Sequence, residues 1–280
     1  MPHPGVKIVL SVIAPAHNER ENISELVMQL TTALSALDLE YEFIIVDDAS
    51  DDGTLDILKD LQGDEPRLRV LHLPPRFTPR KNGRANGQSM AFWAGIHHAR
   101  GELIATLDAD LQNDPADIPR LLEAMTTHDA DLVQGDRSRN RKDGFLKRIS
   151  SVIGRVFRWM ILGDTIRDTG CSLRIMKRDV ALALPLEYRG MHRFIPITAR
   201  QMGYKVIEIA VDHRPRRAGK TKYGNLSRAL PGLIDCFAVR WMRNRRCRIA
   251  AQVIEAGDSR DQKPSVNIEV LPLRKEEALR

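Results

Sequence analysis

The tightest constraint in the chain is Gly101-Glu-Leu-Ile-Ala-Thr-Leu-Asp-Ala-Asp-Leu-Gln-Asn-Asp-Pro115. The apolar run Leu103 to Leu107 stops abruptly at Asp108, Ala109, Asp110, Leu111 and Gln112. A continuous apolar run that ends in carboxylates is the pattern of a buried parallel strand opening at the ligand edge of an α/β sheet. Two carboxylates and an amide oxygen this close form a hard oxygen site, suited to Mg²⁺ or Mn²⁺ with a phosphate completing the shell. The competing reading is a solvated turn in which Asp114, before Pro115, caps the next helix.

The preceding chain fits the same layout. Val6 to Ala14 reads as a buried first strand that ends in Pro15-Ala-His-Asn-Glu19. Asn18 is placed to cap a helix whose apolar positions are Ile23, Leu26, Val27, Leu30, Leu34 and Leu37. Phe43 to Val46 predicts a second strand, leading into Asp47-Asp48-Ala-Ser50-Asp-Asp52-Gly-Thr54 and a helix with Leu55, Leu58 and Leu61 on one face. Leu68 to Leu73 predicts a third strand, Ser89 to Arg100 a helix, Pro115 to Thr127 a helix and Asp131 to Gly135 a strand. Strands alternate with helices and the carboxylates collect after the strands, as in nucleotide-binding α/β proteins. The loop Pro74 to Gln88 carries Arg76, Arg80, Lys81 and Arg84, and is either a solvated loop or a lid that contacts phosphate.

From Asp136 the composition shifts. A basic loop, Asp136 to Gly144, precedes an amphipathic helix with Ile149, Val152, Ile153, Val156 and Met160 on one face. Asp168 to Arg174 reads as a turn into a short strand, with Asp168 placed to orient an arginine or cap the turn. Met191 to Pro196 opens a further helix in which His192 is expected to be structural, and Val206 to Val211 is a late strand. A second basic stretch, Arg214 to Gly224, leads into an apolar and basic segment from Leu226 to Met242, and the chain beyond Arg248 turns polar. With 280 residues, 42% hydrophobic and 29% charged, the chain is an ordinary globular one. Its net charge of +6 is concentrated in the second half, which suggests an anionic partner. Cys171, Cys236 and Cys247 match no metal spacing and suggest a reducing compartment. The start, Met-Pro-His-Pro-Gly, lacks the pattern of a signal peptide, so export is not expected.

Three motifs now stand in order: Pro15-x-x-Asn-Glu19, Val46-Asp-Asp-x-Ser50-x-Asp-Gly-Thr54 and Asp108-Ala-Asp-Leu-Gln112. Together they resemble the family-2 glycosyltransferases, whose fold is GT-A. Asp168-x-Gly-Cys-x-Leu-Arg174, Phe194-Ile-Pro196 and Gly219-Lys-Thr-Lys-Tyr223 narrow the resemblance to the polyprenyl-phosphate glycosyltransferases. It covers residues 6 to 243. The resemblance implies that Asp48, with Pro15, Glu19 and Asp47, holds the base and ribose of a GDP- or UDP-linked sugar. A carboxylate is suited to accept the N–H of such a base. It implies that Asp108, Asp110 and Gln112 hold Mg²⁺ or Mn²⁺ against the diphosphate, with Asp110 essential for transfer. It also implies that Arg137, Lys147 with Ser151, Arg216, Arg217 and Lys222 clamp phosphates. Lys147 stands where the family often has Arg, which exchanges a planar fork for a point charge.

Transfer to a hydroxyl needs a general base, and between Leu184 and Val211 the only carboxylates are Glu187 and Glu208. A lipid monophosphate is already anionic at neutral pH and needs only cations to hold it. The expected reaction is therefore attack by a polyprenyl phosphate on the anomeric carbon of a nucleoside-diphosphate sugar, with inversion. The alternative is a family-2 enzyme with a hydroxyl acceptor, using Glu187 or Asp168 as base. A nucleic-acid partner is not expected, because the basic stretches lack interleaved aromatics. A sugar nucleotidyltransferase is disfavoured by the lack of a Gly-rich triphosphate loop at the first strand.

The expected organisation is a GT-A domain over 1–225, an amphipathic segment over 226–248 and a polar tail over 249–280. No apolar run reaches the ~20 residues of a bilayer span. Residues 226–248, with Trp241 and several arginines, suit either the headgroup region of an anionic leaflet or an ordinary core-facing helix. A peripheral enzyme at the cytoplasmic membrane face is expected, bound directly, through a separate membrane subunit, or as a homo-oligomer.

Overall fold

The computed structural model describes residues 8–75, 85–138, 145–214 and 225–246, and among these the side chains of all but 145–153 and 225–230. Seven strands alternate with eight α-helices among the described residues: β1 (Leu10–Ala16), α1 (Ile23–Ser35), β2 (Tyr41–Asp48), α2 (Thr54–Asp64), β3 (Leu68–Leu73), α3 (Gln88–His98), β4 (Leu103–Thr106), α4 (Ile118–Thr127), β5 (Leu132–Asp136), α5 (Phe145–Leu162), β6 (Arg174–Lys177), α6 (Arg178–Ala183), α7 (Ile195–Gln201), β7 (Val206–Ala210) and α8 (Asn225–Arg245). The sheet order is β3-β2-β1-β4-β6-β5-β7. β6 runs antiparallel to both its neighbours, and the other pairings are parallel. The chain winds outward from β1 in one direction, then crosses to β4 on the other side. β1 and β4 therefore flank the switch point where open α/β sheets bind their ligands.

A core lies on each face of the sheet. One contains Leu26, Leu30 and Leu34 of α1 with Ile118 and Leu121 of α4, over Val12, Phe43 and Ala105. The other contains Phe92 and Ile96 of α3, Val180 of α6 and Ile197 of α7, over Ile13, Ile44 and Ile104. Strands buried on both faces explain why the sequence shows continuous apolar runs instead of alternation. Burying one such side chain fully, as at Leu30, contributes about 1.5–3 kcal/mol.

Several local expectations are corrected. Asn18 does not cap α1. Asn22 is the N-cap residue, and Asn18 adopts φ 54° in a loop before it. The first strand runs to Ala16, so Pro15 lies inside it, paired with Val46. The Ile13 carbonyl accepts from Leu107 N–H on the β4 side, so Pro15, two residues on, also faces that side. There β4 has already ended, and the missing N–H of proline leaves no gap in the ladder. A short 3₁₀ turn, Pro115–Asp117, precedes α4, with Asp114 capping it by accepting from Ala116 N–H. On α5 the expected buried face is partly outside the core: Val156 and Met160 are exposed, whereas Leu162 is buried and Phe157 and Ile161 pack against the second core. The side chains of Ile149, Val152 and Ile153 lie outside the described set.

Gly95 sets how closely α3 approaches the sheet. A Cβ there would collide with Ile13 and stand 3.2 Å from Val46. Gly95→Ala gains up to about 1 kcal/mol in helix propensity but overpacks the interface at a cost of about 1–3 kcal/mol. The expected net effect is a melting temperature lower by a few degrees, read by thermal denaturation. A rise would contradict this packing.

Candidate active site

Three loops meet at the carboxyl ends of β1, β2 and β4. Those after β1 and β2 are laced together. His17 Nδ1–H donates to the Asp48 carbonyl at 2.7 Å, and Asn18 N–H donates to Ser50 Oγ at 3.0 Å. Asn18 and Asp51 exchange two bonds of 2.8 and 2.9 Å. Glu19 N–H donates to Thr54 Oγ1 at 3.0 Å, and Arg20 N–H to Asp52 at 3.1 Å. Burial works against the charged form of Asp52, but the bonds from Thr54 and Arg20 win and hold its carboxyl below the usual range.

The backbone is strained at the same edge. Among the described residues, four non-glycine positions have positive φ: Asn18 (54°), Ala49 (56°), Leu111 (61°) and Asp129 (45°). The first three follow β1, β2 and β4. Such conformations cost of order 1–3 kcal/mol each and gather at ligand sites.

Asp47 and Asp48 end β2, both buried. Asp48 accepts from Asn86 N–H at 2.7 Å, from the Asn86 amide at 3.0 Å and from Gly87 N–H at 2.7 Å. The carboxylate expected at the base or ribose thus also fastens the loop that opens α3. Asp47 accepts from His72 Nδ1–H at 2.8 Å, and its other oxygen, Oδ1, has no hydrogen-bond partner among the described residues. Glu19 accepts from the Asn22 amide at 2.7 Å. Pro15 lines the end of β1 beside Asp47's neighbour Val46.

Asp108 and Asp110 follow β4. Burial, then repulsion from Asp110, pushes the Asp108 carboxyl up to about 6, while Ser172, Arg137 and Arg174 pull it back. Gln88 donates its amide to Asp108. Gln112 N–H donates to Asp110 at 3.2 Å, and the Gln112 carbonyl accepts from Arg214 N–H at 2.9 Å. Its carboxamide makes no hydrogen bond to a described residue. No group of three or more His, Cys, Asp or Glu able to hold a metal exists among the described residues. Two carboxylates and an amide leave several coordination positions to water and phosphate. That is how Mg²⁺ binds in phosphate-transfer sites, so the donor set fits a hard divalent ion seated with a diphosphate.

Arg137 lies behind this corner, buried and gripped by Asp168. Its Nε donates to Oδ2 at 2.8 Å, its Nη2 to Oδ1 at 3.1 Å and its backbone N–H to Oδ2 at 3.2 Å. The bidentate pair raises the guanidinium pKa in spite of burial. Asp168 also accepts from Gly170 N–H at 3.1 Å, so it both orients the arginine and closes the turn. His192, expected to be structural, bonds Ser89 Oγ at 2.8 Å through Nδ1. Lys147 and Ser151 lie on α5, with their side chains outside the described set, and Arg216, Arg217 and Lys222 lie outside the described residues, as does the loop 76–84.

Several participants were not singled out from sequence. Gln88 and Asn86 reach the two carboxylate clusters from one loop. Their signal was the Asn86-Gly87 pair, with Gly87 at φ 103°, a glycine-only geometry at the mouth of a helix. Arg174 is fully buried, donating to the Cys171 and His192 carbonyls with its Nε unpartnered, and burial lowers it to about 10. Asn113 and Ser172 are joined at 2.7 Å beneath the corner. Burial pushes the Cys171 thiol up to about 11, so it stays neutral.

Comparison with known proteins agrees with this geometry. Residues 11–184 match the family model described as Glycosyl transferase family 2. Dodecaprenyl-phosphate galacturonate synthase of Rhizobium johnstonii is 36% identical over 249 residues, covering 88% of this chain and 70% of that protein. Undecaprenyl-phosphate 4-deoxy-4-formamido-L-arabinose transferase of an Enterobacter species is 35% identical over 236 residues, covering 84% and 69%. The fold is shared with glucosyl-3-phosphoglycerate synthase of Mycobacterium tuberculosis, crystallised with Mn²⁺, UDP-glucose and phosphoglyceric acid, at TM-score 0.62 and 20% identity over 83% of this chain and 79% of that one. The chain is therefore a GT-A enzyme that belongs to glycosyltransferase family 2, in the group whose curated members are polyprenyl-phosphate sugar transferases.

Proposed function

We propose that this enzyme moves a sugar from a UDP- or GDP-linked donor to a polyprenyl phosphate, inverting the anomeric configuration with the help of Mg²⁺ or Mn²⁺. The observation that carries the reading is the Asp108/Asp110 pair at the switch point, facing the laced loops after β1 and β2. Asp47, Asp48, Pro15 and Glu19 form the rigid edge that receives the nucleoside. Asp108, Asp110 and Gln112 would hold the cation. When bound, it neutralises the diphosphate as that group departs.

The acceptor contributes a phosphate oxygen as nucleophile. It forms the new C1–O bond as the bond from C1 to the diphosphate oxygen breaks, and the nucleoside diphosphate leaves. No general base is required, and among the described residues the three carboxylates weighed for that role are otherwise placed. Glu187 is exposed. Glu208, pushed up by burial, accepts from Arg167 N–H at 2.8 Å. Asp168 is committed to Arg137. These placements count against the hydroxyl-acceptor alternative. Arg137, presented by Asp168, is assigned to the phosphates, together with Lys147, Ser151, Arg216, Arg217 and Lys222. The names of the curated relatives support the lipid acceptor, and the Mn²⁺ and UDP-glucose in the structural neighbour support donor and metal.

The acceptor would be met at a membrane surface. Among the described residues no helix is long and apolar enough to cross a membrane. Two neighbouring helices instead expose apolar stripes: Val156, Trp159 and Met160 on α5, and Ile234, Phe237 and Trp241 on α8. Spaced by three and four residues, they form single faces flanked by the exposed Arg240 and Arg243, the composition of a helix lying among lipid headgroups. A cytoplasmic-face location follows from the donor. A separate membrane subunit or a homo-oligomer would serve the same end.

Incubating the protein with UDP- and GDP-sugars, Mn²⁺ and a short polyprenyl phosphate is expected to yield a lipid-linked sugar, detected by mass spectrometry. Transfer to hydroxyl acceptors alone would overturn the reading. Asp110→Asn is expected to lower turnover roughly 10²–10³-fold without loss of fold, and chelation of the metal to abolish it reversibly. Asp168→Ala strands the buried Arg137 and is expected to cost about 3–5 kcal/mol of stability by chemical denaturation. A cost within about 0.5 kcal/mol would show that Arg137 does not depend on it.

A further inference from the structure

The described residues also line an open groove of about 800 Å³ that plays no part in the site above. Its walls are mostly apolar, with Trp93 of α3, Leu182 of α6, Met202 after α7, and Val239 and Met242 of α8, beside the polar Thr198 and Gln201. Its mouth carries Arg243, Arg245 and Arg246, all exposed, with Glu187 the carboxylate among the lining residues. The volume lies within the range of sites that take small amphiphiles.

Topology places it far from the sugar chemistry. Trp93 lies midway along α3; the last turn of that helix, with His97, leads into the start of β4, and Gln201 and Met202 lead into the start of β7. These are the N-terminal ends of parallel strands, at the edge of the sheet opposite Asp108. The acceptor phosphate, which must reach the anomeric carbon, is not the occupant.

Two features define the occupant. The interior is mostly apolar and the mouth has three cations against one carboxylate, so charge complementarity selects an anion with a long apolar tail. Trp241 belongs both to the rim and to the exposed stripe of α8, so the groove opens along the face assigned to the membrane. Arg245 stands over the Trp241 ring at 6.0 Å, and Arg243 donates to the Leu162 carbonyl at 3.3 Å, which holds the rim cations beside that face. We propose that the groove takes one acyl chain of an anionic bilayer phospholipid, with the lipid phosphate received by Arg243, Arg245 and Arg246. The inference rests on the membrane-surface reading for the supply of lipid. It adds a lipid that is bound and not consumed, seated apart from the acceptor.

Trp93, Trp159 and Trp241 are the tryptophans of the chain, so Trp159→Phe with Trp241→Phe leaves Trp93 as the sole reporter within the groove. This full-length variant is mixed with phosphatidylglycerol vesicles, with acyl chains brominated or not, at concentrations where co-sedimentation is complete. Bromine is expected to quench Trp93 emission roughly two-fold or more, since only an inserted chain brings it near. Leu182→Asp, a change at a half-exposed wall residue, is expected to abolish that quenching while vesicle binding and melting temperature persist. Arg243→Gln, Arg245→Gln and Arg246→Gln together are expected to lower the preference for phosphatidylglycerol over phosphatidylcholine roughly tenfold or more. Equal emission with brominated and plain vesicles overturns the proposal, whether or not the vesicles bind. Equal quenching by phosphatidylcholine at equal bound fraction overturns the selection of an anionic lipid by the three arginines. Sugar transfer measured in detergent with a short polyprenyl phosphate separates these failures from a failure of the proposed reaction.

Discussion

The repulsion between Asp108 and Asp110 is the interaction on which the rest of the molecule turns. Two carboxylates two residues apart, at the end of a strand buried on both faces, are costly to keep charged. The surroundings answer that cost with Arg137 and Arg174, both buried and both acting on Asp108. Arg137 is in turn claimed by Asp168, so three carboxylates share two guanidinium groups. Among the described residues the corner sets Asp108, Asp110 and Asp168 beside Arg137 and Arg174, and a divalent ion with a diphosphate would bring both signs together there. On the proposed reading, a site built this way would bind its ligands as a set.

The strained backbone fits the same account. Asn18, Ala49 and Leu111 hold positive φ at the ends of β1, β2 and β4, where the laced loops fix them. Strain of this kind persists only where neighbours over-determine the conformation. Here the neighbours are the bonds between residues 17–20 and 48–54 and the grip of Asp48 on Asn86 and Gly87. The edge proposed to receive the nucleoside is therefore held in place before any ligand arrives, which would lower the entropy lost on binding.

The fold was legible because its central strands β1, β2 and β4 are buried on both faces and read as apolar runs with carboxylates after them. The third strand was placed at its observed limits, Leu68–Leu73, and the carboxylate corner was found from a single break in hydropathy. What was not legible depended on partners distant in sequence. Nothing local distinguishes Asn18 as a clamp on Asp51 from Asn18 as a helix cap, since both use the same short amide. Gln88 acquires its role from a residue 20 positions away and carries no pattern of its own. Arg174, although it closes the Asp168 to Arg174 motif, bonds His192 18 positions away, which the motif does not foretell. Helical spacing marked Val156 and Met160 as one apolar face, but spacing cannot say whether protein or lipid covers such a face.

Titrating Mn²⁺ into the protein with and without UDP, by calorimetry, tests the central claim most directly. If the acidic corner and the diphosphate complete each other, Mn²⁺ binds weakly alone and at least tenfold tighter with UDP, and Asp110→Asn removes the difference. Mn²⁺ affinity that is the same with and without UDP, or UDP binding that ignores both the metal and Asp110, would contradict it.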